Sequence, residues 1–211
     1  MRYPYFPESA LAHRLIDPLQ PGPGLELGGS AHNSWGIPNT INVDCTDDMD
    51  TVYKREEIHL CGRALAVDVM AQGDRLPFAD SSFNWIINSH VFEHLPDPMS
   101  ALIEWHRVVA HGGIIFSNIP KRDAHPGDRS REVSLITEIC IAFWMGYTLD
   151  THPIENGCEC RGGHYYCWDV DLYLTMVGML VELGIGLDIV AVLETDDKVG
   201  NSHAFALKVV K

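Results

Sequence analysis

Short β-prone runs alternate with helix-like stretches along the chain, and two β-rich runs joined by a turn close it. Together they predict an α/β fold: a Rossmann-like three-layer sandwich around a seven-stranded, mostly parallel sheet with the last strand antiparallel. The runs 83–88 (FNWIIN) and 114–119 (IIFSNI) are dense in β-branched and aromatic residues, as in strands buried on both faces of a parallel sheet. The connection DDKVGNS, between 187–194 and 203–210, is rich in turn formers and predicts a terminal hairpin.

Taken in order, residues 8–19 read as a helix packing across the sheet end. Residues 24–28 (GLELG) form a short apolar run closed by glycines, 40–44 (TINVD) a second ending in an acid, and 64–69 (ALAVDV) a third. About a dozen residues separate Gly28 from the second run, so the first crossover helix is expected to be short or absent. In the stretch 97–110, Asp97 can cap, Pro98 suits the first helical position, and Met99, Leu102, Ile103, His106 and Val109 share a face. Gly112 and Gly113 stop it. A second helix at about 169–183 carries Leu172, Met176, Met179, Leu180 and Leu183 on one stripe, with Asp169 as cap and Gly184 as stop. Residues 121–168 break the alternation, hold one apolar helix-like stretch (133–145), and read as a lid or substrate-binding excursion.

The 211 residues carry 15 Lys and Arg against 29 Asp and Glu, a formal net charge of -14, which argues against nucleic acid as a partner. No stretch offers the roughly 20 apolar residues of a membrane span, and the first residues lack a signal-peptide core. Six cysteines are too few for a disulfide scaffold, and a cytoplasmic location is expected.

Ligands of such sheets sit at the carboxyl ends of the strands, where strand order reverses. Gly28 and Gly29 end the first run and permit close backbone approach. Asp44 ends the second, where a carboxylate can accept from the vicinal hydroxyls of a ribose. Asp74 follows the third and Ser89, His90, Glu93 and His94 the fourth.

The combination LELGGS, VD at 43–44, GDRLPFADSSF, INSHVFEHLPDP and RVVAHGG, in this order over residues 23–120, resembles the class I S-adenosylmethionine-dependent methyltransferases of the type-11 domain kind. The resemblance implies one methyltransferase-like domain over residues 1–211 and S-adenosyl-L-methionine as cofactor. It places Glu26 and Gly28 near the methionine moiety, Asp44 on the ribose, Asp74 on the adenine and His90 along the methyl-transfer site, with Gly29, Ser30, Ser89 and His90 also expected to bind the cofactor. The expected reaction is transfer to an oxygen or nitrogen of a small-molecule acceptor, with His90 as base and Glu93 and His94 orienting it or lining the acceptor pocket. Ser30 and His32 stand where the family's second and third glycines would be, so the alternative is a methyltransferase-like subunit that binds without catalysis. A nicotinamide dehydrogenase is a weaker reading, because the chain lacks G-x-G-x-x-G.

Lys121, Arg122, Arg129 and Arg131 could hold an anionic acceptor, and Tyr147, His164, Tyr165, Tyr166 and Trp168 a planar one, although a solvated loop and core packing use the same residue types. Cys158, Cys160, His164 and Cys167 could bind zinc, but the gap between the first two is shorter than a zinc knuckle's, and no metal is assigned.

Overall fold

A computed structural model describes residues 8–29, 35–62, 65–153 and 163–211. Its strands are β1 (Gly24–Leu27), β2 (Thr40–Asp44), β3 (Val69–Met70), β4 (Phe83–Ser89), β5 (Val109–Pro120), β6 (Leu187–Leu193) and β7 (Ser202–Val209). They form one seven-stranded sheet in the order β3-β2-β1-β4-β5-β7-β6, with β7 antiparallel to both of its neighbours. The predicted architecture is the observed one. Strand order reverses at β1, which pairs in parallel with both β2 and β4, so the crevice opens at the carboxyl ends of these strands.

The helices are α1 (Ala10–Ile16), α2 (Val52–Cys61), α3 (Pro98–Val108), α4 (Ile136–Met145) and α5 (Val170–Glu182). Side-chain alternation sorts the central strands onto two faces. Leu25, Leu27, Ile86, Ile115, Phe205 and Leu207 join one core with Leu102 and Trp105 of α3, Ile139 of α4, and Tyr173 and Met176 of α5. Trp85, Ile87, Ile114, Phe116, Ala204 and Ala206 join a second core with Leu11, Ala12 and Ile16 of α1. Burial of these side chains, at about 1.5–3 kcal/mol each, is what fixes the layers.

Four elements depart from expectation. α1 rests on a sheet face rather than across the sheet end, and gives way to a 3₁₀ turn at Asp17–Leu19, where Pro18 lacks the amide that would continue an α-helix. β3 is only two residues long. Just before it, the Asp68 carboxylate accepts from the Asn42 amide at 2.8 Å, a bond that a longer β3 would make through its backbone. α3 ends at Val108, two residues early, because Val109 pairs with Phe83 and the chain enters β5 at once. Residues 110–113 then bulge out before Ile114 pairs with Trp85. α2 was not anticipated. Its signals were present: Thr51 accepts from the Lys54 amide at 3.2 Å as N-cap, and Gly62 takes the left-handed cap conformation at φ +78°.

Residues 163–168 return into the core. Tyr165, Tyr166 and Trp168 are buried there, so packing takes the aromatic residues considered for a planar acceptor. Arg131 bonds the Asp128 carboxylate and the carbonyls of His164 and Tyr165, which engages its guanidinium internally. Among the described residues, no helix is long and apolar enough to cross a membrane.

Candidate active site at the carboxyl edge of the sheet

Gly28 leaves β1 at φ +63°, its amide donating to the Val43 carbonyl at 2.8 Å. A Cβ there would stand 2.4 Å from Val91 Cγ2, so glycine is needed both for the left-handed turn and for contact with the loop after β4. At Gly29 a Cβ would meet Asn42 Oδ1 at 2.4 Å and Glu26 Cγ at 3.1 Å. Glu26 itself is buried within β1, opposite Asn42 of β2. Ser30 lies outside the described residues.

Asp44 is partly buried at the end of β2, its Oδ1 accepting from the Cys45 amide at 2.7 Å. Asp74 is partly buried in the turn after β3, which Trp105 Nε1 anchors by a 2.7 Å bond to the Gly73 carbonyl. Arg107 fixes the rest of that loop through the carbonyls of Leu76 and Phe78, the Asp80 carboxylate and its neighbour Glu104. Ordering the loop is thus the work of α3.

Ser89 pairs with Asn118 across β4 and β5, and the His90 amide donates to the Asn118 carbonyl at 2.9 Å. His90 takes a left-handed φ of +56°, uncommon for a residue with a Cβ, and this aims its ring out of the strand. Its Nε2 lies 2.8 Å from Ser202 Oγ, at the start of β7. Burial, helped by the nearby His164, pushes the His90 imidazole down to about 4, so it is neutral at physiological pH.

Glu93 and His94 occupy a 3₁₀ turn three residues long that follows β4. Glu93 is fully buried, and burial pushes its carboxyl up to about 7. His94 is likewise held low, at about 4, mainly by burial. Its Nε2 lies 3.8 Å from Glu93 Oε1, and His164 Nε2 lies 3.9 Å from the same oxygen. Asp128 accepts from His164 Nδ1, and His125 stacks at a tilt on the His164 ring. Although burial alone would raise the Asp128 carboxyl, His164 and Arg131 hold it below its ordinary value.

The association of His94 and Glu93 with His164, Asp128 and His125 was not foreseen. Adjacent Glu93 and His94 were legible as a pair, but no local pattern links them to a histidine at the far end of the excursion. Of the cysteine grouping considered from sequence, Cys167 is buried, and burial pushes its thiol up to about 11. Cys158 and Cys160 lie outside the described residues.

Residues 20–117 match the family model described as a methyltransferase domain. The match takes in just under half of the chain. A 112-residue stretch is 29% identical to the protein MJ1123 of Methanocaldococcus jannaschii, covering 53% of this chain and 51% of that protein. The chain thus spans about half the length of this curated relative.

Solved structures share the domain's fold at low identity. A SAM-dependent methyltransferase from Thermotoga maritima superposes with a TM-score of 0.52 at 16% identity, over 94% of this chain and 86% of that one. A chain from the complex between the Haloferax volcanii Trm112 methyltransferase activator and its methyltransferase gives 0.56 at 13% identity, over 95% and 88%. The PH0226 protein from Pyrococcus horikoshii gives 0.51 at 15%, over 94% and 90%.

The family match and the name of the Thermotoga maritima structure point to S-adenosylmethionine as the methyl donor. The residues at the carboxyl edge fit that donor. The glycine turn after β1 lies beside the acid ending β2, since Gly28 bonds Val43, the residue before Asp44. Asp44 has one oxygen on its own turn, which leaves acceptor capacity for a vicinal diol.

Proposed function

We propose that the domain catalyses S-adenosylmethionine-dependent methylation of an oxygen or nitrogen on a small-molecule acceptor. The observation that supports this most is the placement of the Gly28 turn, the Asp44 carboxylate and the His90 ring at the carboxyl ends of three neighbouring strands, β2, β1 and β4. In this reading Gly28 and Gly29 let the backbone approach the methionine end, Asp44 holds the ribose, and Asp74 meets the adenine. Glu26 supports the turn from below, and Ser89 borders the donor.

The sulfonium of the donor supplies an electrophilic methyl group, so the protein's own part is alignment, exclusion of water and removal of a proton. His90 is the proposed base. His90 Nε2 lies 2.8 Å from Ser202 Oγ, which donates to Asn201 Oδ1 at 3.1 Å; the proposed base is the tautomer with its proton on Nε2 and its lone pair on Nδ1. A neutral ring can take a proton from an acceptor hydroxyl or amine. Glu93 and His94 act behind it, shaping the wall of the acceptor pocket.

Residues 163–168 of the excursion lie against Glu93 and His94 and are proposed to contribute to the substrate-selecting surface; a net charge of -14 argues for a small molecule over nucleic acid. Calorimetry with S-adenosylmethionine and S-adenosylhomocysteine tests the reading, with micromolar-range binding of both expected. Absence of binding by either would leave a non-catalytic subunit as the better account.

A further inference from the structure

We propose that Glu93 Oε1, His94 Nε2 and His164 Nε2 form a mononuclear site for a divalent transition ion of the zinc class. The site goes beyond methyl transfer, and no residue assigned to the methyl donor belongs to it.

Glu93 is the first reason. It is fully buried, and neither carboxylate oxygen has a hydrogen-bond partner among the described residues. Orphaned buried acceptors are costly, and a buried carboxylate is ordinarily paired, hydrogen-bonded or bound to a metal. The two imidazoles facing it do not satisfy it: at 3.8 and 3.9 Å their Nε2 atoms are beyond hydrogen-bond range. Those separations are nevertheless shorter than about 4.2 Å, twice a zinc–ligand bond of about 2.1 Å, so one ion can touch the oxygen and either nitrogen. All three donor atoms lie within 4.8 Å of one another.

The tautomers agree. His94 Nδ1 lies 3.0 Å from the Gly163 carbonyl, which can only accept, so Nδ1 carries the proton and Nε2 the lone pair. Asp128 Oδ2 receives His164 Nδ1 in the same way. A carboxylate or a carbonyl behind each imidazole is the arrangement that orients metal-bound histidines.

A second cluster, His125, Asp128 and His164, competes for His164. It is the poorer site, because both Asp128 oxygens are already engaged, one by Arg131 and the other by His164. His125 Nδ1 also accepts from the Gly127 amide. Asp128 therefore serves as the outer partner of His164, and the ion sits on the Glu93 side.

Two imidazoles and one carboxylate suit zinc or a neighbouring transition ion rather than magnesium or calcium. Three protein donors leave a coordination position open. The ion would join the turn after β4 to the returning end of the excursion, holding the wall of the acceptor pocket in place.

The test is metal analysis of the full chain, stripped with chelator and then titrated with Zn²⁺ alone. One ion per chain is expected, with a rise in thermal midpoint on loading. Glu93→Gln and His94→Gln should each lower Zn²⁺ affinity by more than about 100-fold, and Asp128→Asn by about 10- to 100-fold, as for loss of an outer partner. Unchanged far-ultraviolet dichroism shows that the variants remain folded, and Co²⁺ in the native chain should show ligand-field absorption that Glu93→Gln abolishes. A Cys158→Ser/Cys160→Ser variant should keep the ion. The proposal is overturned by no stoichiometric binding, by equal affinity in Glu93→Gln, or by loss of the ion in the double cysteine variant alone.

Discussion

His90 Nε2 lies 2.8 Å from Ser202 Oγ, so the end of β4 is tied to the start of β7 by a ring and a hydroxyl. If His90 is the base, His90→Ala should lower the saturated rate by about 10² to 10⁴ while donor affinity stays nearly unchanged. Ser202→Ala removes one orienting bond of about 1 kcal/mol, and a loss of about five- to tenfold is expected. Single-turnover rates with an oxygen or nitrogen acceptor decide it. A saturated rate that barely moves in His90→Ala, with weaker donor binding, would remove His90 from the proton transfer.

Asp44→Ala should weaken donor binding, because a ribose diol would lose one or two charge-assisted bonds of about 1.5–3 kcal/mol each. Asp44→Asn should fall between, as it keeps one acceptor oxygen. Titration calorimetry measures both. Equal affinities in the native chain and in Asp44→Ala would mean that the ribose is held elsewhere than at the end of β2.

Much of this edge was legible because its signals are local. β2 was predicted residue for residue from TINVD, and α5 was located by its Asp169 cap, apolar stripe and Gly184 stop. Where a distant partner decides the outcome, the sequence was silent. β3 was misplaced because Asp68 takes the Asn42 amide, and α3 was overextended because Phe83 captures Val109. The same holds for the site: Gly28 and Asp44 could be read from strand ends, whereas the meeting of Glu93 with His164 depends on how the excursion returns. Local propensity shows which residues a strand delivers to its end; long-range packing decides which side chains face one another there.

Arg107 tests the loop that carries Asp74. Its guanidinium bonds two backbone carbonyls and two carboxylates, and the Leu76 amide donates to Glu104 at 2.8 Å. The pairing with Glu104 and Asp80 raises the Arg107 pKa further and lowers that of Glu104. The side chain is partly exposed, so the charge pairs alone are worth little and the carbonyl bonds matter more. Arg107→Ala should cost about 1–3 kcal/mol in urea unfolding, and Arg107→Lys somewhat less, since an ammonium cannot reproduce the planar fork. Donor affinity should fall in parallel if residues 74–80 border the adenine. Lost stability with full affinity would separate the loop from the donor site.

The last prediction concerns Asp196, whose buried carboxylate accepts from the amides of Lys198, Val199, Gly200 and Ser202 at 2.7–3.0 Å. Burial alone would raise its pKa, but the four backbone donors prevail and hold it below the ordinary aspartate value. The sign follows from proton binding. Near pH 4, where a free aspartate begins to titrate, the unfolded chain binds more protons than the folded one, so stability falls as pH falls. The contribution is complete above the unfolded value of about 3.9 and disappears once pH drops below the depressed folded value. Asp196→Asn retains one acceptor oxygen but turns an amide donor toward backbone N–H groups, and should cost about 1.5–3 kcal/mol at neutral pH. That difference should be constant from about pH 5 to pH 8 and shrink below about pH 4. Because the same turn delivers Ser202 to His90, the variant should also slow methyl transfer more than it weakens donor binding. A stability gap that persists undiminished to about pH 3 would mean that packing, rather than the charged acceptor, holds the turn.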